Sequence, residues 1–397
     1  MSPSSCGFAV HAAFYLWYGT PVHDGKWLHW DHPTLPHWTA AMNERFPPNR
    51  SFDPPDSPHS PFYPQRGLYS SRDVEVLRAQ LRELVSAGVD SIMLSWWGQA
   101  DKAIRRDSQG VSTDELVPAV LDAAEEAGIA VSWHLEPYGG RSPRTILDDL
   151  RYLHNAYGHH PAVWRQRREG SHDERALPLV FLYDISAEHS GGSPEEQIAA
   201  QKEWRGVVSD LHGTAHDAIL LSLFVDQRDI SFVKEANLDG AYSYFAASGF
   251  TQGSTPSSWG GERGVHAQLA ERGKLFFPSV GPGYNDTLIR PWNSAATRER
   301  ENGAYYDRMW QSALDCGASA VTITSFNEWG EGTQIEAARP HIAAQSGRGY
   351  ASYMPKEPDF YMIRTREWCE RARRERKCHT SAIASRHTDH ADPHTEL

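Results

Sequence analysis

The sequence predicts a single (β/α)8 barrel, an α/β fold, on three observations. Eight apolar, β-branched or aromatic runs recur along the 397 residues, each followed by turn residues and then by a helical pattern. Alternation of that kind specifies a parallel sheet, and eight such units make a barrel whose functional side chains gather at the C-terminal ends of the strands. The run ends carry what this rule demands: Trp17-Tyr18, Trp96-Trp97, His134 to Tyr138, Tyr183-Asp184, Tyr242 to Tyr244, Gly283-Tyr284 and Asn327 to Trp329.

Taken in order, strands are expected over residues 9–18, 90–97, 129–138, 178–185, 218–225, 239–246, 275–280 and 320–326. After the first, Asp73 caps an amphipathic helix through Leu77, Leu81, Leu84 and Val85 that stops at Gly88. Similar helices are expected over 114–127, 143–157, 194–211, 259–272 and 297–316. Two stretches fall outside the repeat. Residues 21–72, rich in Pro, His and Trp, are too long for a plain βα loop and are expected to form an insert folded over the barrel mouth. Residues 377–397 are polar without an apolar period and are expected to be a disordered tail, which leaves 8–376 as one domain.

A balance of 39 basic against 51 acidic residues gives a formal charge of −12, which repels phosphate backbones and anionic membranes. Neither nucleic acid nor membrane is an expected partner, and a monomer is expected. No apolar run approaches the roughly 18 to 20 residues of a membrane span. The first residues enter a strand almost at once and leave no room for a signal peptide, so the sequence by itself reads as cytoplasmic or as lacking a targeting segment. Cys6, Cys316, Cys369 and Cys378 have no metal-finger spacing; a Cys369–Cys378 bridge stays open.

The chemistry concentrates in TITSFNEWGEGTQIE, residues 322–336, where a β-type run empties into a loop carrying Glu328 and Glu331 beside Trp329 and two glycines. Glycoside hydrolysis needs one protonated carboxyl for the departing oxygen and a second anionic group for the developing charge or a nucleophile. Mutual repulsion and burial raise one carboxyl pKa above the other, and the Trp329 indole is expected to offer a sugar ring an apolar wall. His134 and Glu136 share a strand face, as do Tyr242 and Tyr244. His134 and Glu136 offer a donor and an acceptor to sugar hydroxyls, or else form a strand-end ion pair; the further ligands of a barrel metal site are not evident, and no metal or other cofactor is expected. Arg290, in GPGYNDTLIRPWN with Trp292, holds a carboxylate or a sugar oxygen, or pairs structurally with Asp286.

FYLWYG at 14–19, GKWLHWDHP at 25–33, YSSRD at 69–73, HLEPY at 134–138, DGAYSYFA at 239–246, PSVGPGYNDTLIRPWN at 278–293 and ITSFNEWGEGTQIE at 323–336 together resemble glycoside hydrolase family 99. The resemblance runs in order from about residue 11 to 340. It implies a metal-independent, retaining (β/α)8 enzyme that cuts an internal α-1,2-mannosyl bond in N-glycans or mannan, and for eukaryotic members a Golgi or secretory location. It also implies that Glu328 is a base for the substrate's own 2-hydroxyl, which forms a 1,2-anhydro sugar, and that Glu331 is the acid/base. Tyr15, Trp97, His134, Glu136, Tyr242, Tyr244, Arg290 and Trp292 are then expected to shape the sugar sites. Two departures stand out: Gly330 where many animal members carry His, and the loop GQADKAIRRDSQG after Trp97. A conventional retaining glycosidase with a Glu nucleophile and a catalytically idle oligomannose-binding barrel are the alternatives.

Overall fold

The computed structural model describes residues 7–48, 52–171, 173–186 and 193–388. Eight parallel strands form its centre: β1 (Ala9–Phe14), β2 (Ser91–Trp96), β3 (Ala130–Leu135), β4 (Ala176–Leu182), β5 (Ile219–Leu223), β6 (Gly240–Tyr242), β7 (Leu275–Phe277, resumed at Ser279–Val280) and β8 (Ala320–Ile323). Each pairs with its neighbour in chain order, and β8 returns to β1 with Ala320 opposite Ala9. Pro278 interrupts β7, so its first part pairs with β6 and its second with β8. The ring is therefore closed, and residues of β1, β2 and β3 are buried on both faces, which is why these runs are nearly continuous in apolar character.

The helices around it are α1 (Val74–Ser86), α2 (Val117–Ala127), α3 (Pro143–Tyr157), α4 (Pro194–Leu211), α5 (Arg228–Glu235), α6 (Val265–Ala270), α7 (Ala304–Asp315) and α8 (Phe360–Thr388). Local chemistry sets their starts. Asp73 accepts from the backbone N–H groups of Glu75 and Val76, while Ser142 and Ser193 each form a capping box just ahead of a proline. Among the described residues, no helix is long and apolar enough to cross a membrane.

Several expectations need correction. The strands end earlier than their apolar runs, because 15–18, 136–138 and 243–246 leave the sheet to line the mouth. The helix expected over 259–272 is a turn, Pro256–Ser258, followed by the short α6, since Gly260, Gly261 and Gly264 break the run. The helix expected from 297 begins only at Ala304, and α5 occupies a segment where none was expected. The tail expected to be disordered from 377 continues α8 as far as Thr388, with no Gly or Pro between 360 and 392 to stop it; residues 389–397 lie outside the described residues. Cys369 is a free, buried thiol. Nine residues along one helix set it about 13.5 Å from Cys378, beyond the reach of a disulfide.

The insert, residues 21–72, is anchored to the barrel at several points. Gly19 and Leu28 form an antiparallel bridge, Tyr63–Pro64 pairs with Ala338–Arg339, and Ser60 Oγ donates to the Trp329 carbonyl at 2.9 Å. These ties bring His29, His32, Leu35 and His59 to the barrel mouth.

Candidate active site

The loop after β8 is braced from within and from β1. Ser325 Oγ accepts from the Glu328 N–H at 2.7 Å and meets Thr333 Oγ1 at 2.9 Å. Asn327 acts as a side-chain strand partner for the continuation of β1: its Oδ1 accepts from the Tyr15 N–H at 2.8 Å and its Nδ2 donates to the Tyr15 carbonyl at 3.0 Å. Tyr18 completes the clamp, donating from its hydroxyl to the Asn327 carbonyl and accepting from the Trp329 N–H. Residues from opposite ends of the chain thus fix where Glu328 points.

Glu328 Oε1 accepts from the N–H groups of Gly330 at 2.9 Å and Glu331 at 3.3 Å. Glu331 accepts from Arg290 Nη1 at 3.2 Å, and the same nitrogen donates to Asp286 at 3.0 Å. Both readings of Arg290 therefore meet in one residue: it pairs with the buried Asp286 and also faces a carboxylate of the site.

Both glutamates open into a cavity of about 270 Å³. Tyr15, Trp97, Glu136, Tyr244 and Arg290 line it with them. Glu136 is oriented by Ser95 Oγ at 2.8 Å and by His134 Nδ1 at 2.9 Å, and His134 Nε2 is taken by the Tyr242 hydroxyl at 2.8 Å. His134 and Tyr242 accordingly stand behind the wall and orient Glu136. Trp292 stands outside the cavity, edge-on to His37. Trp329 is a correction: it is fully buried and its indole N–H is held by Tyr69 and Glu336, so it backs the loop and presents no face to a sugar.

The apolar walls come from elsewhere. Tyr15 stacks on Trp17 with ring centres 4.3 Å apart, Trp17 stacks on His29 at 4.4 Å, and Trp97 stands tilted beside them. His29 is fixed by the buried Asp107 at 2.7 Å, from the loop after Trp97. Trp17, Tyr18 and Tyr183 were visible as run ends without an assigned role; His29 and His32 stood in the motif GKWLHWDHP without one, and His59 carried no signal beyond the His content of the insert. Leu35, Ser108, Pro137, Ile289 and Gly330 complete the lining.

Burial pushes both carboxyls above their ordinary range. For Glu328 the charge of Glu331 adds to this, against the two backbone N–H groups and Arg290; for Glu331 the main opposition is Arg290. Arg290 thus favours the anion at Glu331, while the Glu331 charge favours the proton on Glu328. Burial also holds the Tyr15 and Tyr244 phenols neutral and pushes His32 down to about 4 and His59 to about 3. At neutral pH these imidazoles each offer one donor and one acceptor. Among the described residues, no group of three or more His, Cys, Asp or Glu is arranged to hold a metal ion. Two buried carboxyls held above their ordinary range, one of them facing an arginine, in an aromatic-walled cavity are the equipment of glycosyl transfer to water.

Comparison with known proteins agrees. The model of Glycosyl hydrolase family 99 matches residues 6–374. The glycoprotein endo-alpha-1,2-mannosidase-like protein of Danio rerio is 39% identical over 93% of this chain and 79% of its own length. The glycoprotein endo-alpha-1,2-mannosidase of Rattus norvegicus is 37% identical over 93% and 76%. The solved GH99 endo-alpha-mannosidase of Bacteroides thetaiotaomicron superposes with a TM-score of 0.75 at 35% identity, covering 93% of this chain and 98% of that one. On the paired glutamates, the barrel that presents them and these likenesses together, the chain is a glycoside hydrolase and belongs to glycosyl hydrolase family 99.

Proposed function

We propose that the protein is an endo-acting, retaining α-1,2-mannosidase that releases Glc-Man or Man-Man fragments from N-glycans or mannan. The observation that carries this reading is the Glu328–Glu331 pair, set on one loop at the floor of an aromatic cavity in a chain whose relatives bear that activity in their names. In an α-mannoside the 2-oxygen and the leaving oxygen are trans-diaxial, the arrangement that backside attack by the substrate's own oxygen requires. Glu328 takes the 2-hydroxyl proton as O2 bonds to C1; the C1–O bond to the leaving sugar breaks, and Glu331 gives that oxygen its proton. Water then bonds to C1 of the 1,2-anhydro sugar as the C1–O2 bond breaks, its proton passing to Glu331, while Glu328 returns a proton to O2. Two inversions give retention.

These roles need the proton on Glu331 and the charge on Glu328, whereas Arg290 beside Glu331 favours the anion there. The Gly330 and Glu331 N–H groups already aim at Glu328 Oε1 to hold an anion there. A sugar that draws Arg290 from Glu331 would complete the exchange.

The test is mass spectrometry of products from a glucosylated high-mannose N-glycan. Release of a Glc-Man disaccharide is expected; loss of single hexoses, or an unchanged glycan and unchanged mannan, would overturn the reading. A 2-deoxy-2-fluoro glycosyl donor is expected to leave both glutamates unlabelled, whereas a labelled Glu would show a conventional nucleophile.

A further inference from the structure

Trp38 is 85% exposed, yet it stands between two residues that hydrogen bonds fix. The preceding His37 donates its N–H to Asn43 Oδ1 at 2.6 Å and receives Asn43 Nδ2 on its carbonyl at 2.7 Å. His37 Nδ1 accepts from Thr39. The His37 ring covers one face of the Trp38 indole at 3.7 Å, leaving the other face to solvent, and Trp292 packs edge-on against the same imidazole at 4.8 Å. Two tryptophans from distant segments thus converge on one histidine in an ordered rim.

The rim continues the cavity. Leu35, three residues before Trp38, lines the cavity and donates its N–H to the Ile289 carbonyl, while Arg290 lines it two residues before Trp292. Trp292 therefore lies within about 7 Å of the wall along its chain, and Trp38 within about 10 Å, a reach of one or two sugar units. The direction is set by Arg290, which touches Glu331: the residue that protonates the departing oxygen must face the leaving-group side.

We propose that Trp38, His37 and Trp292 form an outer carbohydrate platform, which binds the leaving-group arm of an oligomannoside beyond the cavity. This rests on the endo-mannosidase reading above. The open indole face takes the C–H side of a pyranose, and the hydrogen-bonded residues on either side reduce the ordering that such a contact would otherwise need.

The test compares kcat/KM on a long substrate, an oligomannose N-glycan, with that on a short one, an aryl glycoside of the same released disaccharide. Trp38→Ala is expected to lower kcat/KM on the long substrate by about fivefold to tenfold, through KM, and to leave the short one unchanged. Trp38→Phe is expected to restore most of the loss. An equal effect on both substrates, or none on either, overturns the platform. A change in molecular mass by sedimentation with no change in the long-to-short ratio also overturns it, and would assign the patch to contact between two copies of the chain. A wild-type enzyme inactive on both substrates would instead sink the endo-mannosidase reading itself, and the platform with it.

Discussion

At Glu331 the assignment as general acid makes a prediction that a merely structural role would not. Glu331→Gln is expected to lose about 10²- to 10⁴-fold in kcat/KM on a natural glycan and far less on an aryl glycoside, whose leaving group needs no proton. Glu328→Gln is expected to lose as much on both, and rates on the two substrates check it. Gly330 poses a second question, because a Cβ there would stand 2.8 Å from Ile289 Cδ1 and 3.1 Å from Glu328 Oε1. The Ile289 tip can turn aside, so Gly330→Ala is expected to leave the melting temperature nearly unchanged while raising KM several-fold, and Gly330→Ala combined with Ile289→Val to recover part of that. The glutamate pair was legible in the sequence because chemistry restricts which residue types can do the work. Trp329 was misread because an aromatic beside a catalytic residue looks the same in sequence whether it faces the substrate or the core.

The loop after β8, as an element, gathers several of its ties on one buried carboxylate. Glu336 accepts from Arg66 Nε at 2.7 Å, the Tyr69 hydroxyl at 2.8 Å, Gln80 Nε2 at 3.0 Å and Trp329 Nε1 at 3.1 Å. Arg300 adds a second tie, donating to the carbonyls of Gly332 and Gln334 from among Phe62, Tyr353 and Tyr361. Glu336→Gln leaves a charged donor short of its partner and is expected to cost about 3 kcal/mol in chemical denaturation, with a parallel fall in kcat. Unchanged stability would show that the loop is held otherwise. The sequence showed where each barrel strand begins better than where it ends, since residues such as Tyr15 and Tyr138 keep an apolar pattern after the sheet hydrogen bonds stop. The brief α5 was missed because eight residues barely fill two helical turns of pattern.

For the whole molecule, the buried acids set how stability follows pH. Glu328 and Glu331 both lie above the ordinary 4.5 in the folded chain. Below that pH they are neutral folded or unfolded; as pH rises above it the unfolded chain releases protons that the folded chain keeps, so stability falls until the folded pKa is passed. Glu328→Gln is therefore expected to melt higher than wild type between pH 4.5 and 7 and to converge with it below 4.5, as thermal unfolding across pH would show; a constant offset would contradict the argument. The eightfold alternation was legible because each strand, and most of the longer helices, announces itself locally. The placing of the insert was not, since its contacts join residues far apart in sequence. The same holds for the seam at which β1 meets β8, and it has a consequence for how the protein is made. Tyr15 and Tyr18 leave the ribosome some 300 residues before Asn327, which is to clamp them. Until then the first strand has an unpaired edge, and every shorter nascent chain lacks both the seal and the two glutamates. With the glutamates in their proposed roles, synthesis of this enzyme passes through no active intermediate, and its closing step assembles the fold and the catalyst together.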